Sequence, residues 1–148
     1  MNYNLIRKLI SDITGIPLNR ILKPYQDSPR PNGQFVTINV IGQRYGGETL
    51  TTDGVISKRI MATVSINLYD GNPSIINKIM MIKDISHYRE QLKADNMMFY
   101  SSSSVRDLTD LDMGQYKARH QADFTVSYYE QIEFDYDESN GIEGVEIE

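Results

Sequence analysis

The sequence predicts an α+β fold: one domain with a mostly antiparallel four-stranded sheet in the order helix-strand-strand-helix-strand-strand, the helices packed on the sheet. Three observations predict it. Across Arg59 to Tyr69 the even positions Ile60, Ala62, Val64, Ile66 and Leu68 are apolar, and the odd ones are mostly polar or amphipathic. That period of two marks a strand with one face on a core. Immediately afterwards Asp70-Gly71-Asn72-Pro73 changes the period. Gly71 permits a bend, Asn72 can cap free amides, and Pro73 suits a first helical position because it has no amide to satisfy. Ile75, Ile76, Ile79, Ile82, Ile85 and Leu92 then follow as the stripe of one helix. Third, Ala118, Ala122, Phe124, Val126, Tyr128, Ile132, Phe134 and Tyr136 share one parity, so a long last strand pairs into the same sheet.

The first element is a short amphipathic helix over Asn2 to Thr14, with Leu5, Ile6, Leu9, Ile10 and Ile13 on one stripe, stopped by Gly15 with Pro17 beyond. Asn19 to Tyr25 suits either a turn of helix or an extended linker. Ser28-Pro29-Arg30-Pro31 forms a stiff approach to the next strand, and Asn32-Gly33 favours a turn. Arg30, held between two prolines, is either an exposed loop charge or a fixed contact to a neighbouring subunit. Gln34 to Ile41 is the first strand, with Val36, Ile38 and Val40 on one face. The long polar connection from Gly42 to Ser57 contains Gly46-Gly47 and Asp53-Gly54. It lacks the Gly-x-x-x-x-Gly-Lys pattern of a phosphate cradle, and its length suits a projecting, flexible β-arm. Met97 to Val105 reads as an edge strand and Arg106 to Gly114 as a turn. Three close carboxylates in that turn lack the sixth-position glycine and twelfth-position glutamate of a calcium loop, so turn-forming aspartates account for them. The last strand, about 60 Å long if straight, outreaches a body whose radius of gyration is about 15 Å. It therefore bends, or its acidic second half leaves the body as an arm. The domain spans residues 1–137 with the arm at about 42–57, and 138–148 form an acidic tail.

At 148 residues the chain is long enough for one real core. It has no cysteine, which removes disulfides, thiolate metal sites and a cysteine nucleophile. His87 and His120 lie far apart in sequence and neither sits in a nucleophile motif. His120 and Asp123 fall on opposite faces of the last strand and cannot act as a local pair. His120, on the apolar parity, reads as a buried or interface residue. The expectation is no enzyme, no cofactor and no metal. No apolar run is long enough to span a bilayer, and no export signal is expected. The net charge of −5 is uneven: Glu130 to Glu148 hold eight acids and no Lys or Arg, while the first 129 residues carry 15 bases against 12 acids. Such a chain is a poor nucleic-acid binder overall, and its acidic end is either a solvated tail or a surface for a basic partner. Ten tyrosines and no tryptophan suit interfaces with one wet side, although core tyrosines explain the bias as well.

Ser28-Pro29-Arg30-Pro31, the strand Arg59 to Tyr69 before its helix, and Val105-Arg106-Asp107-Leu108-Thr109 leading into Ala118 to Tyr129 together resemble the phage neck and tail-terminator proteins. The acidic extension after Tyr129 matches that pattern less well. The resemblance implies a homo-hexameric ring at the head-proximal end of a tail tube, located in the virion neck after synthesis in the host cytoplasm. Such a ring ends tube polymerisation and docks on the head connector. Its implied partners are the tail tube protein, the connector or stopper protein and, in a contractile tail, the sheath; DNA passes through without specific binding. The implied subunit contacts are Arg30, Arg44, Tyr45, Gly46, Gly47, Arg59, Arg106 and Tyr129. A head-completion or stopper protein of the same neck is the nearest alternative, and a small ligand-binding α+β module with the 42–57 loop as a lid is a more distant one.

Overall fold

Asn2 opens the first helix, α1 (Tyr3–Thr14), where its side chain accepts the Leu5 amide at 3.1 Å. Gly15 closes it in the left-handed region, φ 78°, a backbone state that costs glycine nothing. Ile6, Leu9 and Ile10 of α1 are fully buried. The computed structural model describes residues 1–24, 31–112 and 115–134. Arg30, with the stiff approach around it, the end of the domain at 135–137 and the acidic tail 138–148 lie outside the described residues.

A single 3-10 turn (Leu18–Arg20) leads into a two-residue strand, β1 (Ile21–Leu22). Arg7 holds this segment on α1 by donating to the carbonyl oxygens of Ile21 and Leu18, both at 2.7 Å. Then come β2 (Phe35–Thr52), β3 (Val55–Tyr69), α2 (Pro73–Met80), α3 (Ser86–Ala94), β4 (Met98–Ser102), β5 (Arg106–Asp107), β6 (Asp110–Asp112), β7 (Gln115–Lys117) and β8 (Arg119–Glu133). The main sheet runs β1-β2-β3-β8-β4, with β5 also pairing on β8, and β6 with β7 form a separate two-stranded ribbon. The even positions predicted to face the core do so from Ile60 to Leu68 in β3 and from Ala122 to Tyr128 in β8, whereas Ile132 is exposed. Ala62, Val64, Ile66, Leu68, Ala122 and Val126 are fully buried, in one cluster with Ile76 of α2 and Leu92 of α3. All three helices therefore pack on that face. The opposite face carries a polar ladder instead, in which Gln121 donates to Ser65 at 2.6 Å and Arg119 to Asn67 at 3.0 Å.

The α+β class holds, but the four-stranded antiparallel order does not. The main sheet has six strands and is mixed, because β1 runs parallel to β2. The single helix after Pro73 is two helices joined by a 3-10 turn (Ile82–Asp84). The reason is visible in the stripe. Ile76, Ile79 and Ile82 recur every three residues, which a 3.6-residue helix would carry around its side. A tighter turn keeps Ile82 buried, and Ile85 then leaves helical geometry at ψ 117° before α3 begins. Asn72 does cap α2, accepting the Ser74 amide at 2.9 Å, with Pro73 in the first turn. The bend before it, however, is made by Asp70 at φ 54°. Gly71 is needed for space: a Cβ there would stand 2.6 Å from Leu68 Cδ2. Finally, Gly42 to Ser57 is no loop, and part of the expected Arg106 to Gly114 turn is strand.

Candidate functional site

The connection from Gly42 to Ser57 is a continuation of β2 and β3 closed by a two-residue turn. Asp53 and Gly54 both have positive φ, 44° and 80°, as a primed hairpin turn requires, and Asp-Gly is a preferred sequence for it. The β3–β8 pairing runs without a break from Tyr69↔Arg119 to Val55↔Glu133. The Phe134 amide then donates to the Gly54 carbonyl at 2.8 Å, so the end of β8 reaches the turn itself. The arm is thus three-stranded, and the second half of the long last strand is its third member. From Ile60 to Val55 it extends about 17 Å at ~3.3 Å per residue. Among the described residues, none in the arm beyond Ile60 and Tyr128 is buried.

Two irregularities shape β2. The register shifts between Val40 and Gly42, and again between Tyr45 and Thr49. The first shift moves the face, so that Gln43 and Tyr45 continue the side begun by Val36, Ile38 and Val40. Gly46 and Gly47 belong to the second. A Cβ on Gly46 would lie 2.5 Å from Met61 Cγ, and Gly47 has φ 106°. Both glycines are therefore demanded by the arm's own geometry.

Five of the nine large apolar side chains left exposed among the described residues belong to the arm and its root: Ile41, Tyr45, Leu50, Tyr129 and Ile132. That concentration makes it the candidate functional site. On the face continuous with the core, Tyr45, Ile56, Ile60 and Ile132 line a groove of about 630 Å³. Lys58 Nζ lies 4.3 Å from the Tyr45 ring centroid, and Gln43 donates to the Tyr128 hydroxyl at 3.3 Å. Burial, with Glu130 and Tyr3 nearby, pushes the Tyr128 phenol above its ordinary value and keeps it neutral. The other face presents Arg44, Leu50, Arg59 and Tyr129. Arg59 donates to Ser127 Oγ at 3.1 Å and to the Tyr100 hydroxyl, tying β3, β8 and β4 together at the arm's root.

Both outer strands of the arm have open edges among the described residues. β1 pairs with β2 only at Val36 and Thr37, and β4 pairs with β8 only as far as Ser127. Unpaired strand edges are templates for another chain.

Of the sequence-predicted contacts, Arg44, Tyr45, Gly46, Gly47, Arg59 and Tyr129 come together on the arm, and Arg59 sits directly across from Tyr129. Arg106 does not join them. It lies on β5 opposite Gln121, eight residues along β8 from Tyr129, and pairs with Asp123 at 3.1 Å. Sequence reasoning missed Ile41, Leu50 and Ile132. Ile132 was legible as an apolar position, but where the helices stop covering the sheet was not. His120 is buried, its Nε2 3.9 Å from Asp107 Oδ1, while Asp123 is engaged by Arg106. Two hydrogen bonds from Thr109 hold the Asp107 carboxyl below the usual carboxylate range. Among the described residues no three His, Asp or Glu side chains cluster as a metal site. No helix of the described residues is long and apolar enough to cross a membrane.

Residues 4–148 match the sequence model of a family described as phage neck terminator protein. Comparison with curated proteins found no match.

Proposed function

The chain belongs to the phage neck terminator protein family, and from that premise we propose that it forms a ring, of six copies, which caps the tail tube, ends its polymerisation and docks the tail on the head connector. The single observation that carries this is the three-stranded arm. It projects beyond the helices, exposes apolar side chains on both faces and, among the described residues, has two different open edges. An open β2 edge on one copy and an open β8 edge on the next are non-identical partners. Their pairing is heterologous, and it closes into a ring when the rotation between copies divides the circle. The groove of Tyr45, Ile56, Ile60 and Ile132 supplies apolar contact, while Arg44 and Arg59 supply planar donors suited to interfaces.

In this reading the protein makes and breaks no covalent bond; it acts by occupying the face on which another tube ring would build. Six copies at −5 sum to about −30, and a channel carrying part of that charge lets DNA slide without sticking. The experiment is electron microscopy of particles made without this protein. Overlong, unjoined tails are the expected result. Tails of normal length that fail only to join heads would make it a stopper instead, and tails that finish and join normally would end the proposal.

A further inference from the structure

At the β4 edge of the sheet, beside the root of the arm, lies a second surface. Between α3 and β4 a groove of about 420 Å³ has a floor of Leu92, Met97 and Phe99 and a rim of Lys83, Arg89 and Lys93. Glu90 is the one acid on that rim, and Lys83 is already paired with Asp84 at 3.1 Å. Arg89 and Lys93 are exposed and have no carboxylate partner among the described residues. Met98, 53% exposed, continues the apolar surface toward a shallower depression beside Arg59 and Tyr129. β4 pairs with β8 on one side, and its other edge is open among the described residues.

An apolar floor, a basic rim and an open strand edge together specify their occupant: a short extended segment in which apolar side chains alternate with acids. Backbone pairing supplies affinity and the alternate side chains supply selectivity. The chain itself contains such a segment. In Ile142-Glu143-Gly144-Val145-Glu146-Ile147-Glu148, Val145 and Ile147 alternate with Glu146 and Glu148. Length decides which copy provides it. Phe134 sits at the arm tip against Gly54, and β4 starts opposite Ser127, about 23 Å back along β8. From Phe134 to Ile142 the chain takes eight residue steps, at most about 29 Å when taut, which leaves only about 6 Å for both the reversal and the further step to α3. A neighbouring copy has no such constraint.

We propose that the α3–β4 groove receives residues 142–148 of a neighbouring copy, so that each acidic end straps the next subunit. This rests on the ring reading given above. The test uses the full-length chain with Val145 replaced by the photoreactive benzoylphenylalanine, mixed from ¹⁴N- and ¹⁵N-labelled preparations, irradiated with and without tail tubes. Heavy–light crosslinks mapping to residues 89–99 are expected. Arg89→Glu with Lys93→Glu should lower their yield about tenfold, and Glu146→Lys with Glu148→Lys in the photoreactive copy should restore it. Both rim residues are exposed, and an unchanged thermal melt shows that the fold is intact. Crosslinks within a single copy, crosslinks to another surface, or a yield that ignores the charge reversal each overturn the proposal. Light scattering on the same samples separates the two readings: rings with crosslinks elsewhere remove the strap alone, and monomers under every condition remove both.

Discussion

Ile132 offers the sharpest test of the arm. Its side chain is 63% exposed on the face continuous with the core, opposite Ile56 and beside Tyr45, itself 70% exposed. Complete burial of an isoleucine side chain stabilises by about 1.5–3 kcal/mol. The fraction still open therefore has about 1–2 kcal/mol to contribute when a neighbour covers it. Ile132→Glu removes that contribution and requires a carboxylate to be desolvated in its place. Each subunit contact should weaken by at least about 5- to 30-fold. Within the isolated subunit only the smaller, covered fraction of the side chain is lost, so unfolding stability should fall by no more than about 1 kcal/mol. Sedimentation equilibrium over a concentration series, paired with urea unfolding, measures both quantities. Tyr45→Lys on the same face should behave alike. If both variants keep the parent's association while remaining folded, the arm's apolar face is no interface and the argument from exposed area is wrong.

Other consequences are local. Gly54→Val forces a β-branched residue to φ 80° and brings a Cβ within 3.1 Å of the Phe134 carbonyl oxygen; hairpin closure should weaken by about 1–2 kcal/mol, seen as faster amide exchange at Thr52 and Val55, and unchanged exchange would contradict the turn. Ile66→Ala, at a fully buried position in the middle of β3, should cost about 2–5 kcal/mol and lower the melting temperature by roughly 4–20 °C; calorimetry showing almost no change would mean that the sheet centre is not packed as described. Asp107 has a folded pKa below its ordinary 3.8 because Thr109 donates to it. Its contribution is thus present above that ordinary value and lost as pH falls through the folded one. Asp107→Asn should flatten the acid limb of the stability curve, and an identical limb in urea unfolding at low pH would refute the assignment.

Much of this molecule was legible in one dimension because local chemistry settles local structure. Gly15 ends α1, Asn72 and Pro73 start α2, and the even positions from Ile60 to Leu68 in β3 and from Ala122 to Tyr128 in β8 face the core. Each depends on a residue's own backbone preference or on a period of two, and neither needs a distant partner. The eight acids after Tyr129 and the absence of cysteine are likewise properties of the chain as written.

Tertiary structure decided what depends on who pairs with whom. The threefold isoleucine spacing looked helical, and packing on the sheet turned its middle into a 3-10 turn. Gly46 looked like a loop residue until Met61 was found against it, and Gly42 to Ser57 looked like a loop until β3 and β8 were found to share one unbroken register. Ile132 has the same parity as Val126, yet one is exposed and the other buried. Alternation tells which way a side chain points; only the reach of the helices across the sheet decides whether anything waits there to cover it.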